Sequence, residues 1–148
     1  MRAVVQRVSA ASVSVDGKLV SSIGKGLLVF LGVSCSDTAA EAEAISRKIS
    51  GLRIFSDSSG KMNLSAGDVD GSVLLISNFT LYGNVRHGFR PEFLQSAPAD
   101  SAEPLYEKVL SLISRQLPVK AGVFGADMKV CADNDGPVTI IIDTDSLK

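Results

Sequence analysis

The chain is short of the residues on which most small-protein chemistry is built. It has one histidine, His87, and two cysteines, Cys35 and Cys131, among 148 residues. The cysteines are far apart and share no C-x-x-C or Cys/His spacing, so neither a disulfide framework nor a zinc site is suggested and both read as plain thiols. Charge of one sign is lacking too. Fifteen basic against sixteen acidic side chains leave a formal charge of −1, which argues against a protein that grips long nucleic acid through many phosphates. There is no run of 18 apolar residues and no charged-then-apolar leader, so neither a membrane span nor a secretion signal is expected and the expected location is the cytoplasm. Repeats, linkers and low-complexity tracts are missing as well.

What is present is apolar and regularly spaced. Hydrophobic residues make up 45% of the chain, ample for one core and one domain over residues 1–148. Residues 2–8 alternate as a strand, and 12–23 read as a hairpin about Asp16-Gly17. The apolar run Gly26 to Val33 has strand length. Asp37 is placed to cap a helix whose Ala42, Ile45, Ile49 and Leu52 recur at helical spacing. Arg53 to Phe55 reads as a short strand, 57–61 as a turn, and Asp70-Gly71 as a turn feeding a strand that runs to Thr80. Pro98, Asp100 and Ser101 announce a second helix striped by Leu105, Val109, Leu112 and Ile113, with Pro104 in its first turn and Pro118 near its end. A loop passing into a strand covers 119–133, and a last strand 138–143. Two helices among seven or eight strands, joined by hairpins rather than regular βαβ alternation, predict an α+β fold with a mostly antiparallel, barrel-like sheet.

Two segments invite a chemical reading. Val73 to Ile76 is an apolar run that breaks abruptly into Ser77, Asn78, Phe79, Thr80 and Leu81, so a buried strand presents hydroxyls and main-chain N–H groups at its tip. Ser and Thr in such places usually cap turns. The second segment sets Gly136-Pro137 at the mouth of the strand containing Ile140, Ile141 and Ile142. Proline cannot donate to a ladder and is kept to strand edges or first positions. Either the pair is a turn that begins a strand, or it is a cis peptide that turns two successive carbonyls the same way as a rigid main-chain recognition device; about 5% of X-Pro bonds are cis. A third, weaker feature is the loop bearing Arg86, His87 and Arg90 between Phe89 and Phe93, which reads equally well as a solvated loop.

Several blocks, in order, resemble those of the D-aminoacyl-tRNA deacylases: Met1 to Val8 with Gln6 and Arg7, GKGLLVFLG at 24–32, RIFSD at 53–57, KMN at 61–63, SNFTL at 77–81, GVFGADM at 122–128 and NDGPVT at 134–139. The resemblance covers essentially the whole chain. It implies a homodimeric hydrolase, without metal or organic cofactor, that cleaves the ester joining a D-amino acid or glycine to the 3′ end of an aminoacyl-tRNA. It further implies that Ser77, Asn78, Phe79 and Thr80 line the reaction pocket and that Gly136 and Pro137, cis, enter that pocket from the opposite subunit. Arg7 would support the inserted pair, and Phe124 and Met128 would contact the terminal adenine. The chain departs from the family where glutamine is usual and Asn78 stands, a loss of about 1.5 Å of reach.

Ester hydrolysis needs an attacking water and donors aimed at the oxyanion, each donor typically worth about 3 to 4 kcal/mol. Main-chain N–H groups of Phe79 and Thr80 can supply them. The Thr80 hydroxyl is the side-chain candidate, yet no base lies beside it in sequence, and nothing places His87 there. A substrate-assisted route through the ribose 2′-hydroxyl fits such a pocket. Two rivals remain: a non-catalytic module that binds nucleic-acid ends through the 86–90 loop, and a general small-ester hydrolase, for which no G-x-S-x-G motif is present.

Overall fold

The computed structural model describes residues 1–147. Strand β1 (Arg2–Val15) is fourteen residues long and turns back through Asp16-Gly17 into β2 (Lys18–Ile23). The sequence divided β1 in two. In the fold it is continuous because it changes neighbours: residues 2–8 pair antiparallel with β3 (Gly26–Gly32) and residues 11–15 with β2.

Helix α1 (Ala39–Ser50) follows β3 and buries Ala42, Ile45 and Ile49 of the predicted stripe, while Leu52 falls beyond its end. Its cap is Thr38 rather than Asp37. The Thr38 hydroxyl accepts from Ala40 N–H while the Glu41 carboxylate accepts from Thr38 N–H, a reciprocal capping box. Asp37 is taken up elsewhere, accepting from Ser34 N–H and from the amino group of Met1. The ribbon β4 (Phe55–Ser56) and β5 (Met62–Leu64) folds over a turn in which the Asp57 carboxylate accepts from Ser59 and Lys61.

Strand β6 (Ser72–Ser77) lies parallel to β3, and helix α2 (Ala99–Ser114) carries the chain back to β7 (Val119–Ala121), parallel to β6. Because the helix starts at Ala99, Pro104 falls in its second turn, not its first. The carbonyl it leaves without an N–H is that of Asp100, an exposed residue where water can serve. Strand β8 (Lys129–Asp143) runs antiparallel to β1 along nearly its whole length.

Both faces of the sheet are buried. Ala3, Val5, Leu27, Val29, Leu31, Val73 and Leu75 face the helices, whereas Val8, Ala11, Val13, Leu28, Leu74 and Ile76 pack together inside the curl of the sheet. The curl is nearly closed. Ser21 Oγ donates to Ala121 O at 2.8 Å and Lys120 Nζ to Ser22 O at 2.6 Å, so side chains rather than a ladder join β2 to β7. This is the expected α+β barrel-like sheet, with β3, β6 and β7 as its parallel portion.

Candidate active site

Strand β6 stops at Ser77, three residues before the predicted end. Asn78 N–H still donates to Leu31 O, but residues 79–82 then wind into a 3-10 turn closed by Gly83 N–H donating to Thr80 O. The polar residues after the apolar run therefore leave the sheet as a turn. The main-chain N–H groups of Phe79 and Thr80 have no acceptor among the described residues. The Thr80 hydroxyl donates to Asn78 Oδ1.

Beside this turn, at the carboxyl ends of β3 and β6, opens a cavity of about 600 Å3. Ser77, Asn78 and Phe79 form part of its wall, and Phe124 and Met128 another part. The sequence placed these two groups in separate blocks; the fold joins them through one carbonyl. Leu75 O accepts both from Gly122 N–H at 3.1 Å and from the Tyr106 hydroxyl at 2.9 Å, fastening the 122–128 loop and helix α2 to β6. Tyr106 packs at 5.6 Å against the Phe124 ring, and burial pushes its phenol far above its ordinary titration range. Gly122 leaves room for the Met128 side chain: a Cβ there would lie 2.5 Å from Met128 Sδ, which would have to shift.

Tyr106, Phe93 and Asp127 also line the cleft and were not foreseen. Tyr106 had a signal, being a polar-tipped aromatic on the buried face of α2. Asp127 had one in its position beside Met128. It is the one carboxylate on the wall, which carries no histidine, cysteine or lysine. No group of three or more His, Cys, Asp or Glu side chains suited to a metal occurs among the described residues. Chemistry here falls to hydroxyl, amide and main-chain groups and to the single carboxylate of Asp127.

Thr80 is exposed and lies beside the wall through its bond to Asn78. His87 is exposed in a loop and does not line the cleft. Gly136 and Pro137 are likewise exposed, away from the cleft of their own chain. They do not begin a strand. The ladder between β1 and β8 jumps from Gln6–Thr139 to Val8–Asn134, so residues 135–138 bulge out opposite Arg7 as a corner within one strand. The peptide between Gly136 and Pro137 is cis, and Gly136 has φ of +151°, a conformation that a side chain would strain.

Two side chains brace this corner. Arg7, 12% exposed, donates from Nε to Asp135 O at 2.9 Å and from Nη1 to Ile54 O at 2.7 Å, with the Asp135 carboxylate 3.4 Å away. Asn134 spans the bulge, accepting from Val138 N–H at 2.8 Å and donating to Val138 O at 3.2 Å.

The family profile described as D-Tyr-tRNA(Tyr) deacylase matches residues 4–143. Proteins named D-aminoacyl-tRNA deacylase from Clostridium botulinum (strain Eklund 17B / Type B) and Thermotoga petrophila are 53% and 52% identical, the first over 97% of each chain and the second over 99% of each. A solved structure named "c-Myc DNA Unwinding Element Binding Protein" is 44% identical with a TM-score of 0.92, covering 97% of this chain and 98% of that one. Another, a "probable eukaryotic D-amino acid tRNA deacylase", shares the fold at a TM-score of 0.81 and 17% identity, over 95% and 97% of the two chains. The chain belongs to the D-Tyr-tRNA(Tyr) deacylase family and is accordingly a hydrolase acting on carboxylic ester bonds. That membership sets aside the non-catalytic rival.

Proposed function

We propose that this deacylase frees D-amino acids, and glycine mischarged on tRNA-Ala, from the 3′ end of tRNA and spares L-aminoacyl-tRNA, as a cytoplasmic proofreading step in translation. The whole chain acts as one domain, works as a homodimer and needs neither metal nor organic cofactor. The observation that carries the reading is the cleft itself, in which the 77–79 wall and the pair Phe124 and Met128 meet. In this scheme the terminal adenine rests on Phe124 and Met128, and the ester carbonyl lies against residues 77–80, where free N–H groups at Phe79 and Thr80 receive its developing negative charge.

The Thr80 hydroxyl is an unpromising nucleophile, since it donates to the neutral amide Oδ1 of Asn78 and not to the wall's one carboxylate, Asp127. The substrate's own 2′-hydroxyl therefore orients the attacking water. Asn78 acts chiefly through its main chain and as acceptor for Thr80, which is how the shorter side chain serves where glutamine is usual.

Hand selection falls to Gly136 and Pro137 of a second copy, seated in the cleft with carbonyls toward the substrate's α-amino group and no space where an L side chain points. Glycine, having no side chain, is not excluded. The exposure of the corner and its bracing by Arg7 support this. So does β8, whose fifteen residues pair on one side only and expose Ile141, which is 69% accessible, because a free edge of that length invites a second chain. The test is deacylation of matched D- and L-tyrosyl-tRNA. The expected result is rapid release of D-tyrosine only; equal rates for both hands would refute the chiral filter, and no release of either would refute the substrate.

A further inference from the structure

The loop 84–92 takes no part in the scheme above, yet it is built unlike an ordinary solvated loop. Its base is fixed: Asn84 N–H donates to Glu92 O at 2.9 Å and Glu92 N–H to Asn84 O at 3.0 Å. Just past the base, Phe93 meets Phe79 edge to face at 5.0 Å, and both rings line the cleft. The flap is thus rooted on the cleft's rim. Its tip is bare. Phe89 is fully exposed and Arg86, His87 and Arg90 surround it in sequence, all exposed and in no ion pair among the described residues. The flap's one acid, Glu92, is turned to the main chain, accepting from Leu94 N–H at 2.8 Å.

A fully exposed ring between two unpaired guanidinium groups suits one kind of partner. Nucleobases stack on an aromatic face, and arginines meet the phosphates between them. We infer that the flap clamps the unpaired nucleotides that precede the terminal adenosine, with Phe89 under a base and Arg86 and Arg90 on the backbone. The inference rests on the proposed deacylase reading, in which an RNA 3′ end enters this cleft and must cross its rim. A near-neutral protein then needs no broad basic face, because its phosphate contacts are concentrated on nine residues.

The test compares Phe89→Ala and the double variant Arg86→Ala/Arg90→Ala with the parent chain, using D-tyrosyl-tRNA and D-tyrosyl-adenosine, a substrate without the preceding nucleotides. Phe89→Ala is expected to raise KM for the tRNA about tenfold with kcat retained. The double variant should also lower the slope of log affinity against log salt by about 1.4, the value for two single-strand phosphates. Neither should alter turnover of D-tyrosyl-adenosine. Equal losses on both substrates, or unchanged KM for the tRNA, would overturn the inference, as would dissociation of a dimer by these changes, which would make the flap a subunit contact. Binding of an uncharged RNA hairpin ending in an unpaired ACCA, read by fluorescence anisotropy, separates the two readings. Weaker binding by the variants of a parent chain that hydrolyses nothing would leave the clamp standing and remove the deacylase scheme.

Discussion

Strand β1 sends one arginine toward the turn after β6 and another to the 135–138 corner, and the two meet different structures. Arg2 donates from Nη1 to Leu81 O at 2.8 Å, at the end of a turn already held by main-chain bonds from Asn78 to Leu31 and from Gly83 to Thr80. Arg7 donates to a corner that has no ladder, where only its guanidinium and the Asn134 amide stand in for the missing pairs. The tip is set by the sheet; the corner is set by side chains. On the proposed scheme, a wall made of main chain should tolerate side-chain change, whereas a filter made of main chain but braced by side chains should not.

The contrast breaks most visibly at Arg7. Arg7→Ala removes two charge-assisted bonds from a largely buried position, and a stability loss of about 3 kcal/mol is expected, with Tm lower by roughly 10 °C. Calorimetry checks this, and the surviving folded protein should release L- as well as D-tyrosine. Next comes Gly136→Ala. The added Cβ would lie 2.6 Å from Val138 N and 2.7 Å from Val138 Cγ2 at a φ no alanine favours, strain of roughly 1 to 3 kcal/mol. The D-over-L ratio of kcat/KM should fall at least about tenfold, with KM for the D substrate little changed.

Arg2→Ala should cost less, about 1 kcal/mol, because its pair with Asp143 at 2.9 Å is partly exposed. Burial alone would raise the Asp143 carboxyl, but hydrogen bonds from Arg2 and from Asp145 N–H hold it below its ordinary 3.8. A depressed carboxylate stabilises the fold fully above its unfolded value and loses that contribution as pH falls through its folded one. Urea melts should therefore show the Arg2→Ala deficit at pH 7 and see it shrink below 3.8. At the tip, Thr80→Ala should slow turnover only about fivefold, the worth of one hydrogen bond, while a terminal 2′-deoxyadenosine substrate should react far more slowly. Smallest of all, Asn78→Gln should change kcat by less than about twofold, since the main-chain bond to Leu31 O is untouched and the longer amide still offers Thr80 an acceptor oxygen.

How much of this could be read beforehand follows the same division. Periodic signals were legible: the stripe Ala42, Ile45 and Ile49 gave α1, and the alternation of residues 2–8 gave the start of β1. The cap of α1 was misplaced by one residue because Asp37 is claimed by Ser34 N–H and Met1, partners set by the fold and invisible to local pattern. The end of β6 was overrun because Thr80 and Leu81 have strand-like side chains while the ladder partner, β3, ends at Gly32. Of the two readings open at Gly136-Pro137 the cis peptide holds, while the strand start expected at 138 does not, since proline punctuates a sequence locally whereas β8 is continuous by virtue of β1 pairing on both sides of the bulge. Within the cleft, 77–79, Phe124 and Met128 were foreseen by resemblance. Tyr106 carried a signal as a polar-tipped aromatic on the buried face of α2, but neither it nor Phe93 is brought to the cleft by any local pattern.

The most direct measurement is the D-over-L preference of a purified mixed dimer, one copy carrying Gly136→Ala and the other Ala97→Trp to fill its own cleft. The single open cleft then belongs to the copy with the altered corner and faces the intact corner of its neighbour. Full preference for D-tyrosyl-tRNA is the predicted result. Preference as poor as in the Gly136→Ala homodimer would contradict a filter donated across the interface and return it to the chain that holds the cleft.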